Sequence, residues 1–284
     1  MGRRRLPWTE AYIANKVREG MGQGEGYEYQ PWITTHCFAS RGVQSRIPNP
    51  GIGSAVHVMS NIERHMFLLH RHKGGLAGYR SQFPLPREVT LAVAKVLDIP
   101  HPRYPRTNIP VVMTLDALVT LRTPENQLVD YAWDAKPHSE LNNPRTLEKL
   151  TLHRGACALL GYPHQIFTEK TVPRTTIRSI EWLSVARNRT GECEVEAEML
   201  RAHKLAVVAD LFHQRPRKTI DRYCSRSDTQ HSLPPGMTLR ALKQLVLEDV
   251  LSVDLSKAPA EIMDSRVPLP SSPFLPHASN PGQS

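Results

Sequence analysis

Cysteine is scarce in this 284-residue chain: Cys37, Cys157, Cys193 and Cys224 are scattered and form no Cys-x-x-Cys pair. That spacing excludes a zinc ribbon or a disulfide framework and fits a reducing cytoplasm. Long apolar runs are also missing, and none approaches the roughly 20 residues that span a bilayer. The basic start Met-Gly-Arg-Arg-Arg-Leu-Pro lacks a following apolar stretch, so no secretory signal is expected. The glycine-rich segment 20–26 has no Lys-Ser/Thr after it and no strong strand before it, which argues against a phosphate-binding loop. Gly-x-Ser-x-Gly is absent, so a hydrolase nucleophile elbow is unsupported. No internal repeat is visible.

What is present is a packable, basic chain. Hydrophobic residues make up 40%, enough for a core, and charged residues only 22%, too few for global disorder. The length allows one large domain or, better, two domains around separate cores. A net charge of +9 favours a polyanionic partner such as nucleic acid, although net charge alone says nothing about clustering. Arg3, Arg4, Arg5, Arg215, Arg217 and Lys218 are the basic residues best grouped to touch phosphates; each is equally readable as solvated surface charge.

Periodicity predicts a helix over 10–19, ended by the glycines of 20–26. Ser60-Asn-Ile-Glu63 has the form of a capping box opening a second helix, with Ile62, Met66 and Leu69 on one face. An extended stretch over 79–85 and a helix over 87–97 follow. Residues 111–121 and 128–135 read as two strands of a hairpin joined by Thr123-Pro-Glu-Asn-Gln127. A helix over 145–160 and a short strand over 165–168 complete a small mixed α/β domain, placed at 1–172 with an N-terminal extension. Residues 173–257 read as a helical domain, with helices over 176–183, 194–211 and 238–248. Alternation over 250–255 suggests a short strand, and helices followed by a strand fit a winged-helix module, as they fit many small helical domains. Proline and serine accumulate from Ala258, so 258–284 is expected to be a disordered tail.

The chemistry concentrates in the hairpin. Asp116 ends an apolar strand, and Asp134-Ala-Lys136 lies on the next. Residues two apart share a strand face, so Asp134 and Lys136 point the same way. An unpaired carboxylate inside an apolar strand is costly, which makes Asp116 hard to read as decoration. Phosphodiester hydrolysis needs an activated water and neutralised phosphate charge, both of which Mg²⁺ supplies, held by one or two carboxylates and waters. Asp116 and Asp134 would supply oxygens, the Ala135 carbonyl would face the same metal, and Lys136 would hold the attacking water or the phosphate. Glu63 is the natural third acid for a second ion, or simply the closing residue of its capping box. Asp134 with Lys136 is also readable as a surface ion pair of little worth. His65, His70 and His72 lack the spacing of a zinc site.

Short words spread over 8–185, recurring weakly near 238–256, carry a further signal. They are Ile-Ala-Asn-Lys-Val-Arg-Glu-Gly-Met-Gly-Gln-Gly (13–24), Tyr-Gln-Pro-Trp-Ile-Thr (29–34), Ser-Asn-Ile-Glu-Arg-His-Met-Phe (60–67), Gln-Phe-Pro-Leu (82–85), Met-Thr-Leu-Asp-Ala-Leu-Val (113–119), Ala-Lys-Pro (135–137), Arg-Thr-Leu-Glu-Lys-Leu (145–150), Ile-Phe-Thr-Glu-Lys (166–170) and Ile-Glu-Trp-Leu (180–183). In these the chain resembles the TnsA family, the endonuclease subunits of heteromeric cut-and-paste transposases. The resemblance implies an α/β fold with a restriction-endonuclease-like mixed sheet flanked by helices, then a winged-helix-like domain. It puts Glu63, Asp116 and Lys136 at catalytic positions, and Asp134 where the family often carries Gln. It further implies Mg²⁺ as cofactor, with Mn²⁺ as a substitute, and cleavage of the 5′ ends of a transposon in double-stranded DNA. The implied partners are a TnsB-like transposase subunit and a TnsC-like AAA+ ATPase. A stand-alone restriction or repair nuclease, or a non-catalytic adaptor, are the alternatives.

Overall fold

The computed structural model describes residues 8–35, 44–49, 51–187, 191–214 and 216–270. Arg3, Arg4, Arg5 and Arg215 lie outside the described residues. The chain divides into two compact units after Val172.

The first unit is built on a four-stranded sheet. Its strands are β3 (Leu76–Pro84), β4 (Thr114–Arg122), β5 (Leu128–Ala135) and β6 (His164–Phe167), in that order across the sheet. The first three are antiparallel neighbours, whereas β6 runs parallel to β5. A parallel neighbour needs a crossover, and the 17-residue helix α4 (Pro144–Leu160) supplies it. Asn143 caps α4 by accepting the amides of Arg145 and Thr146, Pro144 occupies its first turn, and Gly161 ends it in the left-handed conformation at φ 77°. Before the sheet come α1 (Glu10–Arg18), the ribbon β1 (Ser45–Ile47) with β2 (Val56–Val58), and α2 (Asn61–His72); α3 (Arg87–Val96) lies between β3 and β4.

Period-2 alternation assigns the faces. Leu118 pairs with Ala132, and both are buried in one cluster with Val93 and Ala94 of α3 and Leu152, Ala156 and Cys157 of α4. The helices approach closely at Gly155, where a Cβ would stand 2.6 Å from Val93 Cγ1. On the opposite face α2 brings Phe67 against Tyr79 and His70 against Trp133, with ring centroids 4.9 and 4.7 Å apart. Asp116 and Asp134 share the face of Leu118 and Ala132, each two residues along its strand. One end of the hairpin therefore carries both acids.

The second unit contains α5 (Arg174–Ser184), α6 (Glu194–Gln214), α7 (Ile220–Gln230), α8 (Met237–Leu247) and α9 (Pro259–Met263) around their own core, which includes Leu183, Leu211, Tyr223, Leu245 and Ile262. Residues 250–255 form no strand. The amides of Val250 and Leu251 bond back to the Leu245 carbonyl, and Asp249 turns left-handed at φ 57°. The alternating side chains pack from a loop, with Leu251 buried. The expected tail also begins too early at Ala258. Residues 259–263 are helical, and Ile262 and Val267 are buried. Helix α7 escapes the sequence pattern because its inward positions Ile220, Tyr223, Cys224 and Ser227 include two small weakly hydrophobic residues. No helix among the described residues is long and apolar enough to cross a membrane.

Candidate active site

Asp116, Ala135 and Lys136 meet at the end of the β4–β5 hairpin. Oδ2 of Asp116 accepts the backbone amide of Ala135 at 2.7 Å and the Lys136 ammonium at 2.7 Å. The ammonium also donates to the Ala135 carbonyl at 3.1 Å and lies 4.0 Å from Asp134 Oδ1. Lys136 is pinned where β5 meets β6, its own amide donating to the Phe167 carbonyl. Burial opposes its charge, but Asp116, Asp134 and Glu63 together outweigh burial and hold its pKa above the ordinary lysine value. Beside these acids it is held as an ammonium that donates to Asp116 and the Ala135 carbonyl.

Glu63 arrives from the first turn of α2 and does two things. It takes part in the cap: its amide donates to Ser60 Oγ, the Ser60 hydroxyl donates to Oε1 at 2.9 Å, and the Met59 amide donates to Oε2 at 2.9 Å. It is also tied to the sheet, because Gln82 Nε2 donates to Oε2 at 3.1 Å. Gln82 falls between the pairs Ser81–Ala117 and Phe83–Leu115, which sets it opposite Asp116. Its backbone is left-handed at φ 52°, a strained state for a non-glycine residue, and its carbonyl accepts the Trp32 amide. Burial first, then the negative charge of Asp116, pushes the Glu63 carboxyl up to about 7.

Asp134 is fully buried. Its Oδ2 accepts from Nδ1–H of His153 on α4 at 2.7 Å and from Nε2–H of His164 at the start of β6 at 2.8 Å. Burial disfavours its charge, yet His153, His164 and Lys136 outweigh that and keep it ionised well below the usual carboxylate range. Oδ1 accepts no hydrogen bond from the described residues. A buried carboxylate oxygen without a donor asks for a cation. Lys136 at 4.0 Å meets that demand only in part.

The sequence pattern misses His153 and His164. His153 is legible only as a polar residue in the buried stripe Leu150, His153, Cys157 of α4, and His164 only as the residue opening β6. Of the three histidines weighed from spacing, His70 is a core residue of α2, bonded through Nδ1 to the Met66 carbonyl at 2.8 Å. Arg217 and Lys218 are exposed in the second unit, just before α7.

Comparison with known proteins matches this architecture in order. A model described as the TnsA-like endonuclease N terminal covers residues 77–169, which include Asp116, Asp134, Lys136, His153 and His164 but not Glu63. A second, the TnsA endonuclease C terminal, covers residues 171–255. A relative from Escherichia coli, the Transposon Tn7 transposition protein TnsA, is 30% identical over 258 residues, spanning 91% of each chain.

Proposed function

The chain belongs to the TnsA endonuclease family, and from that premise we propose that it cuts the 5′ ends of a transposon through a divalent metal held by Glu63, Asp116 and Asp134. It is an endonuclease subunit of a transposase. The observation that carries the site is the buried Oδ1 of Asp134, lacking a hydrogen bond and lying 4.0 Å from the Lys136 ammonium that bonds Asp116. Three carboxylates and a carbonyl are hard oxygen donors, the set that Mg²⁺ prefers, and Mn²⁺ accepts the same set. That donor chemistry suits the ion. By distance, the group of three acid, histidine or cysteine side chains with donor atoms within 4.8 Å among the described residues is Asp134, His153 and His164, so Glu63 and Asp116 would have to close on Asp134 around the ion. When bound, it lowers the pKa of water and offsets charge on the scissile phosphate.

The chain's own residues do the rest. The Ala135 amide and the Lys136 ammonium fix the Asp116 carboxylate, while Ser60, Met59 and Gln82 fix that of Glu63. Preorganised groups of this kind act without reorganising during the reaction. Lys136 can transfer its donation from Asp116 to a phosphate oxygen, where its positive charge stabilises negative charge. The exposed Arg217 and Lys218 add phosphate contacts without reading sequence. A TnsB-like transposase subunit would cut the other strand, and a TnsC-like AAA+ ATPase would link the pair to target DNA.

A strand-specific assay on double-stranded DNA bearing a transposon end tests this reading, with the full chain, the partner transposase and Mg²⁺. The 5′-strand cut should appear with wild-type protein, disappear in EDTA and disappear in Asp116→Ala. Persistent 5′ cleavage by Asp116→Ala rejects the site. Efficient cleavage by the purified chain without partners would point to a stand-alone nuclease instead.

A further inference from the structure

We infer that His153 and His164 are positioning residues that hold Asp134 so that one oxygen stays turned toward the metal side of the site. The inference rests on the reading of Asp134 as a metal ligand given above. Both rings converge on a single atom, Oδ2, at 2.7 and 2.8 Å, and neither bonds to Oδ1. The rings are nearly perpendicular, at 88°, and come from different elements, α4 and β6. A carboxylate with two donors on one oxygen cannot rotate about its terminal bond without breaking both. Oδ1 is thereby left on the side of Lys136.

The same three residues cluster closely enough to suggest a metal centre of their own, with donor atoms within 4.8 Å of one another. As placed, however, the three are joined by hydrogen bonds. Donors around a tetrahedral ion with bonds of 2.0–2.1 Å stand about 3.3 Å apart. Here both nitrogen–oxygen separations are about half an ångström shorter, the length of N–H···O⁻ hydrogen bonds. In this arrangement the histidines act as donors to Asp134. Outer partners of this type fix ligand orientation, and their loss costs about 10–100-fold in metal affinity or activity. Their positions depend on the crossover helix and the parallel edge strand. α4 brings His153 over the face of Asp134, and β6, paired through Asp134–Ile166, brings His164 beside it.

The test measures Mn²⁺ binding to the full chain without DNA, by electron paramagnetic resonance, with melting followed in EDTA. The double variant His153→Leu, His164→Leu should bind Mn²⁺ at least about tenfold more weakly. His153→Asn and His164→Gln place an amide N–H near Nδ1 and Nε2 respectively, and should stay within about threefold of wild type. Wild-type Mn²⁺ affinity in the double leucine variant overturns the inference. If that variant does not fold, His153→Gln replaces it. Its amide lies one bond too far out, so weaker binding than His153→Asn supports the inference and equal binding overturns it. Asp116→Ala separates the two readings. Wild-type Mn²⁺ binding in that variant sinks the carboxylate site itself, whereas its loss beside unaffected histidine variants sinks only the role of the histidines.

Discussion

Nζ of Lys136 lies 2.7 Å from Oδ2 of Asp116, so the proposed catalytic cation bonds an oxygen of a proposed metal ligand. The ammonium also bonds the Ala135 carbonyl, another proposed ligand. On the proposed reading, Lys136 would compete with the metal for those oxygens. Lys136→Met should leave Mn²⁺ affinity equal to wild type or tighter, because a like charge has gone, while 5′ cleavage falls at least about 100-fold. Isothermal titration beside the nicking assay reads both. Parallel loss of Mn²⁺ binding would mean that the lysine builds the site rather than acting in it.

Glu63 combines a helix cap with an acid position, and its two roles separate under substitution. Glu63→Gln keeps one acceptor oxygen for the Ser60–Met59–Gln82 cluster, so it should cost about 1 kcal/mol, or roughly 2–4 °C in melting temperature. Cleavage should nonetheless drop at least about 100-fold, since an amide is a poor ligand for Mg²⁺. Activity that falls only with the folded fraction would reduce Glu63 to a cap.

Lys243 offers a pH test within the second unit. Its side chain is buried, with Nζ 4.0 Å from the Trp182 ring centroid. Burial lowers its pKa from 10.5 to about 8, and nearby Cys224 opposes the shift only partly. Below about pH 8 both folded and unfolded chains carry the proton, and the folded one bears the cost of a buried ammonium. Between about 8 and 10.5 the unfolded chain holds more protons, so this group's contribution to stability rises with pH. Lys243→Met should accordingly be about 1 kcal/mol more stable than wild type at pH 7, after allowance for solvent and the cation–π contact. The gap should close toward pH 10.5 in urea unfolding. A gap that does not change with pH would contradict the buried ammonium.

The hairpin acids, the Asp-x-Lys strand and the Ser60–Glu63 cap were legible because each lies in one short stretch governed by a period of 2 or by a local cap. The alternative reading of Asp134 with Lys136 as a surface pair fails on burial: Asp134 is 0% exposed. His153 and His164 were not legible, because their meeting with Asp134 exists only after a crossover helix returns the chain to a parallel strand. Gln82 was hidden for a related reason, since nothing in its residue type announces a left-handed backbone in a strand. The loop at 250–255 misled because alternation reports which side chains are buried. It does not report whether the backbone pairs with another strand or folds back onto a helix end.

Proline content misled in the same way at Ala258, and the correction is measurable. Pro259 sits in the first turn of α9, where a missing amide costs nothing. Ile262 is 1% exposed within the second core. Beyond it, the Ile220 amide bonds the Ser265 carbonyl and the Val267 amide bonds the Lys218 carbonyl. This segment thereby closes the start of α7. Ile262→Ala should cost about 2–4 kcal/mol, as for other buried isoleucines. Ending the chain at Lys257 should cost more, since it removes Ile262, Val267 and both backbone bonds together. Thermal melts of the two variants against the full chain give the comparison. Unchanged melting on truncation at Lys257 would return residues 258–270 to the status of a tail, whereas a loss larger than that of Ile262→Ala makes them part of the second core.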